Sequence, residues 1–182
     1  NLHPDQRVSM RADMRFFSIY ECLPRGSSKT LNQILIRFII AIRYPNRNIS
    51  VTAQTRENAV KILKDKYYEV IRYYPILSGE IEKCTFSKND AEIVFKNGSR
   101  IDALANSQSS KGARRHEISA EESALLDAVT FDDALEPIVE VPRYTCGKLA
   151  LVSPYECNGR ISFFTTPGWK SSTEHQRNLD MV

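Results

Sequence analysis

Ser18-Ile-Tyr-Glu-Cys-Leu-Pro-Arg-Gly-Ser-Ser-Lys-Thr-Leu-Asn32 is the stretch on which the reading of this chain turns. Phe16–Cys22 has the pattern of a short buried strand, and Lys29–Ile42, with Ile34, Ile36, Phe38, Ile39 and Ile42, that of a helix. Between them lies Gly26-Ser27-Ser28-Lys29-Thr30, close to the phosphate-binding pattern G-x-x-x-x-G-K-[ST], but Leu23 and Ser28 stand where its glycines belong. Such a loop works because successive backbone N–H groups converge at a helix N-terminus, where the macrodipole adds positive potential. Lys29 would reach the β- and γ-phosphates, and the Thr30 hydroxyl would join a Mg²⁺ shell. Gly26, Ser27 and Ser28 are small enough to let phosphate approach, although a left-handed Ser28 would cost roughly 1 kcal/mol. Arg25 could hold a guanidinium against the γ-phosphate. Taken alone, the segment supports two readings: a nucleotide loop, or a plain strand-turn-helix junction with an exposed lysine.

The rest of the chain narrows the choice. Its 182 residues, 26% charged and 42% apolar with a net charge of +3, suit a globular α/β domain and permit a polyanionic partner without demanding one. No apolar run approaches the ~20 residues of a membrane span. Cys22, Cys84, Cys146 and Cys157 form no CxxC pair; Cys146 and Cys157 flank a possible hairpin, but reduced thiols are the expectation. Ile49–Ala53 is β-branched and short, a strand. Thr55 caps a helix running to about Tyr73, which Pro75 stops. Glu92–Phe95 and Arg100–Leu104 flank Asn97-Gly98 as a hairpin. A helix is expected around Phe131–Val139, and Ile161–Thr166 forms a β-branched and aromatic run before Pro167-Gly168. Strands alternating with helices imply a mainly parallel sheet with helices on both faces.

Glu121-Glu122 is an acidic pair of the kind that holds Mg²⁺ through water and activates the attacking water. The residues before it, His116–Ala120, are too polar for an ordinary buried parallel strand. By itself, Arg114–Ala128 reads as an amphipathic helix with the glutamates on its solvated face.

The order of these motifs resembles that of the ATPase domain of the large terminase subunit, the DNA-packaging motor of tailed bacteriophages. Leu2-His-Pro-Asp-Gln6 looks like its adenine motif, with Gln6 placed 23 positions before Lys29. The family's phosphate loop (Walker A) is itself deviant and carries an arginine where Arg25 stands. Asn97-Gly-Ser-Arg-Ile101 is similar to its N-G-S-x-I hairpin, Glu121-Glu122 to its acidic (Walker B) pair, and Phe163-Phe-Thr-Thr-Pro-Gly-Trp-Lys170 to its coupling motif. Ser28 for a common glycine and Glu121 for the commoner aspartate are departures.

The resemblance, running from Leu2 to about Gln176, implies a three-layer P-loop NTPase of the additional-strand, catalytic-glutamate type. It implies that ATP and Mg²⁺ are the cofactors. Gln6 would hold adenine, and residues 25–29 would cradle the phosphates with Lys29 and Arg25 offsetting charge. Thr30 and Glu121 would position the metal, Glu122 would act on water, and Thr165 and Thr166 would couple hydrolysis to movement. It further implies double-stranded DNA, portal protein and small terminase subunit as partners, and a homo-oligomeric ring working in the host cytoplasm at the procapsid. Lys111, Arg114 and Arg115 are candidates for DNA contact or for a trans-acting arginine. Residues 1–182 would then be an N-terminal ATPase domain, a piece of a longer protein, without the C-terminal nuclease domain or its activity. A helicase-like ATPase and a catalytically weak nucleotide- or DNA-binding scaffold are the alternatives.

Overall fold

A computed structural model of the chain describes residues 2–139, 159–168 and 173–180. Cys146, Cys157, Trp169 and Lys170 lie outside the described residues, so the paired-thiol question and the end of the aromatic-threonine stretch do too. The strands are β1 (Ser18–Cys22), β2 (Asn48–Ala53), β3 (Ile81–Phe86), β4 (Ala91–Phe95), β5 (Arg100–Ala105), β6 (Glu117–Glu121) and β7 (Arg160–Thr165). They form one sheet in the order β1-β7-β6-β2-β5-β4-β3. The first five in that order are parallel; β5/β4 and β4/β3 are antiparallel. Strand β7 therefore separates the loop-bearing β1 from the acidic β6, which is the additional strand expected of the fold.

Three helices position the site: α1 (Pro4–Asp13), α2 (Lys29–Arg43) and α3 (Arg56–Tyr73). Isoleucine is an indifferent helix former, so burial rather than propensity holds α2. Ile34, Ile36, Phe38, Ile40 and Ala41 are all buried, against Val51, Leu63, Ile93 and Ile101 among others. The lower end of α2 is closed by the hairpin turn. Asn97 Nδ2 donates to the carbonyls of Ala41 (2.8 Å) and Ile42 (2.9 Å), and Ser99 Oγ donates to that of Tyr44 (2.8 Å). Helix α3 starts where Thr55 Oγ1 accepts from the Asn58 amide at 3.2 Å, and it ends two residues before Pro75, which opens a short 3-10 turn. On the opposite face of the sheet, Ile118, Ala120, Ile161 and Phe163 pack against Phe131, Leu135, Ile138 and Val139, which makes three layers.

Three sequence expectations are corrected. Arg114–Ala128 is not a helix: its core is β6, a central strand with every residue buried. Alternation sends Ile118 and Ala120 to one face and Glu117, Ser119 and Glu121 to the other. The acids survive there because Arg37 and Arg47 meet Glu117. Phe16–Cys22 is not a buried strand: β1 is at the rim of the sheet, and Phe16 and Phe17, just ahead of it, are 53% and 61% exposed. The helix over Phe131–Val139 is a π turn followed by a 3-10 turn, with Pro137 removing a donor from it.

Candidate nucleotide site

In-register pairing places Cys22 opposite Thr165, and Phe164 opposite Glu121. The carboxyl ends of β1, β7 and β6 therefore share one edge of the sheet, and the turn after β1, Thr166 and Glu122 follow from it. Open parallel sheets bind ligands at that edge.

Two residues of the turn have left-handed backbones. Gly26 has φ +85° and Ser28 sits in the left-handed region at φ 57°, so Ser28 adopts the conformation that a glycine would take without strain. The Ser27 amide donates weakly to the Pro24 carbonyl at 3.4 Å, and the Asn32 amide closes the first helical turn on Ser28 O at 3.0 Å. The first amides of a helix have no intrahelical acceptor. The Ser28 side chain makes no capping bond to α2, so the first amides of the helix, those of Lys29, Thr30 and Leu31, lack a cap. A cleft of about 390 Å³ opens in front of them, lined by Gly26, Ser27, Ser28 and Lys29 from the turn and by His3, Asp5 and Gln6 from the start of α1.

Thr30 Oγ1 donates to Glu121 Oε2 at 3.0 Å, joining the helix that follows the turn to the end of the central strand. Glu121 is 1% exposed, and its other oxygen, Oε1, is buried with no hydrogen-bond partner. Burial pushes its carboxyl up to about 7. The Thr30 hydroxyl, Arg37 and Lys29 pull the other way, and Glu122 adds a further push. A buried carboxylate oxygen without a donor, beside a threonine hydroxyl, suits a magnesium ion held partly by phosphates and water. Among the described residues no group of three or more His, Cys, Asp and Glu could hold a metal unaided.

The other expected residues are distributed as follows. Gln6 lines the cleft; its Oε1 accepts from the His3 amide at 2.9 Å, leaving the side-chain NH₂ to donate. Arg25 is exposed and is not among the residues lining the cleft. Glu122 is exposed in a left-handed conformation and borders a shallower hollow with Asn58 and Lys61 of α3. Thr165 is 2% exposed, its hydroxyl donating to the Thr166 carbonyl at 3.3 Å, while its own carbonyl accepts from Leu23 N at 3.2 Å. That last bond ties the turn to β7. Lys111 and Arg114 are exposed, whereas Arg115 is engaged with Asp102 at 2.5 Å.

Sequence reasoning missed the ionic cluster beneath the cleft. Arg37, fully buried, lies 2.7 Å from Asp13 of α1 and 2.6 Å from Glu117 of β6; Arg160 of β7 meets Asp13 at 2.6 Å. Burial pushes the Asp13 carboxyl up, but Arg37 and Arg160 outweigh it and hold it below the usual range. Above them Gln33 Nε2 and Ser9 Oγ donate to Glu21 Oε2 at 2.8 and 2.6 Å. The available signal was an arginine set between Ile36 and Phe38 in an otherwise apolar helical run.

No protein-family model matches the sequence, and no curated protein does. Solved structures match its fold. The large terminase of a thermophilic bacteriophage superposes with a TM-score of 0.69 at 13% identity over 100% of this chain and 42% of that one. The large terminase ATPase domain of Thermus phage P74-26 gives 0.61 at 14% identity over 100% of this chain and 86% of that one. The HK97 bacteriophage large terminase gives 0.63 at 15% identity over 91% and 33%. The first of these terminases is also known in complex with ADP and with ATP-γ-S. The architecture is that of large-terminase ATPase domains, and the chain spans about two fifths of the length of the first.

Proposed function

We propose that this chain is the ATP-hydrolysing domain of a large terminase subunit, driving double-stranded viral DNA into a procapsid. One observation carries the reading: the Thr30 hydroxyl, at the start of a helix with free amides, meets the buried Glu121 carboxyl at 3.0 Å. A structural turn would have no use for an unpartnered Glu121 Oε1 at that point.

In this reading the amides of residues 25–29 and the Lys29 ammonium receive the phosphates, and Gln6 donates to the base. Thr30 and Glu121 hold the metal side of the site. ATP with Mg²⁺, when bound, supplies the reacting phosphoryl group and screens its charge. Glu122, one residue beyond Glu121 and exposed, orients or deprotonates the attacking water after a side-chain rotation away from α3. Arg25 reaches the outermost phosphate by a similar swing. Little covalent chemistry is asked of the protein, so positioning and electrostatics carry the rate. The hydrogen bond from Leu23 to Thr165 gives the turn a direct line to the coupling strand. DNA contact, made through phosphates and hence salt-sensitive, falls to Lys111 and Arg114 rather than to the engaged Arg115. A ring of copies on a portal, with the small terminase subunit, in the host cytoplasm, completes the picture.

ATP turnover with and without DNA tests this for the wild type, Lys29→Ala and Glu122→Gln. Glu122→Gln is expected to bind ATP and turn over at least ~100-fold more slowly. Equal rates for wild type and Glu122→Gln would refute catalysis here and leave a nucleotide-binding scaffold. Stimulation by single strands alone would point to a helicase-like enzyme.

A further inference from the structure

A second hollow, of about 330 Å³, leads from Ser28 along α2. Ser28, Leu31, Asn32 and Leu35 form its floor, a stripe at i, i+3, i+4 and i+7. It shares Gln6, Ser28 and Asn32 with the cleft at the turn. It is also lined by Tyr73, the last residue of α3, and by the Tyr74 that follows it, from an element that carries no nucleotide motif. Tyr73 is 59% exposed, with no ring partner among the described residues. Glu69, also in its lining, is offset by Lys66 at 2.6 Å, so the hollow does not repel an anion's neighbour by charge.

We propose that this hollow takes the nucleobase, with Tyr73 as its stacking face and Leu31 and Leu35 beneath it. The inference rests on the nucleotide reading above and deepens it. Gln6 stands where the two hollows join, so its free NH₂ reaches the edge of a base lying flat on Tyr73. The cleft on the other side of Gln6 offers Glu21, a carboxylate already committed to Ser9 and Gln33, and a single small aromatic ring, the His3 imidazole, which lies 3.2 Å from the Asp5 carboxylate. Stacking is tolerant of base identity, whereas a carboxamide distinguishes one base edge from another. Tyr73 thus supplies affinity and Gln6 supplies the choice of base.

Calorimetric titration of the whole chain with ATP, GTP and inorganic tripolyphosphate tests this. Tyr73→Ala should weaken ATP and GTP alike, by about 5- to 150-fold, and leave tripolyphosphate unchanged; Tyr73→Phe should restore both nucleotides. Gln6→Ala should change the ATP/GTP ratio instead. Unchanged thermal unfolding of Tyr73→Ala confirms that the variant is folded, as expected for an exposed helix terminus. If Tyr73→Ala binds ATP as the wild type does, or loses tripolyphosphate equally, the base site is overturned while the phosphate site stands. If the wild type binds neither nucleotide nor tripolyphosphate, the nucleotide reading falls, and this one with it.

Discussion

Replacing Glu121 by glutamine separates what the site costs the fold from what it does. In the folded chain burial pushes the Glu121 carboxyl from 4.5 to about 7. At about 1.36 kcal/mol per pKa unit, that gap corresponds to about 3 kcal/mol of folding stability. Its sign follows from proton counting. Between the two values the folded chain holds a proton that the unfolded chain has released, so stability falls as pH rises. Below about 4.5 the carboxyl is protonated in both states and costs nothing; above about 7 the whole penalty is present. Glutamine cannot ionise and still offers Thr30 an acceptor. Glu121→Gln should therefore match the wild type near pH 4.5 and exceed it by about 3 kcal/mol at pH 8. For a chain of this size that corresponds to a rise in Tm of about 6–12 °C. Urea unfolding of the two proteins at half-unit steps from pH 4.5 to 8, with chelator and no nucleotide, measures the difference and cancels the other titrating groups. A difference that stays constant with pH, or a glutamine variant less stable at pH 8, would refute the account of Glu121.

Two further substitutions probe the same region. Ser28→Gly should stabilise the chain by up to about 1 kcal/mol, since it removes the left-handed strain at φ 57°; denaturant midpoints read it, and a loss of stability would mean that the serine side chain anchors the turn. Arg37→Ala strands Asp13 and Glu117 without their shared cation and should cost about 3–5 kcal/mol, measured in the same way, with a cost under 1 kcal/mol disproving that the cluster is buried as described.

Much of this was legible in the residues. Helix α2, helix α3 with its Thr55 cap, strand β2 and the Asn97-Gly98 hairpin all carry local signals that agree with their packing, and each lies where those signals put it. The turn was legible too, because Lys29 and Thr30 follow a strand and open a helix. Strand β6 was not. Its acids violate the apolar pattern of a central strand, and the arginines that neutralise Glu117 come from Arg37 and Arg47, distant in sequence. Strand β3 went unseen because its lysine, glutamate and threonine face outward on an edge, where charge discourages stray pairing. The rim position of β1 was hidden for another reason: strand order is a property of the whole sheet, and Ile19 and Tyr20 look the same in the middle or at the border. Arg25 and Glu122 could be nominated from the sequence, but the direction of an exposed side chain has no local signature.

Among the described residues β1 has a ladder neighbour on one side alone, β7. The turn thus hangs from an edge strand, while Glu121 belongs to a strand gripped on both flanks. Anything spanning the two would act as a clasp between the hem of the sheet and its middle. If the cleft takes a nucleotide as proposed, each filling would draw that hem taut and each emptying would let it slacken, and the bond between Leu23 and Thr165 would carry the change to β7.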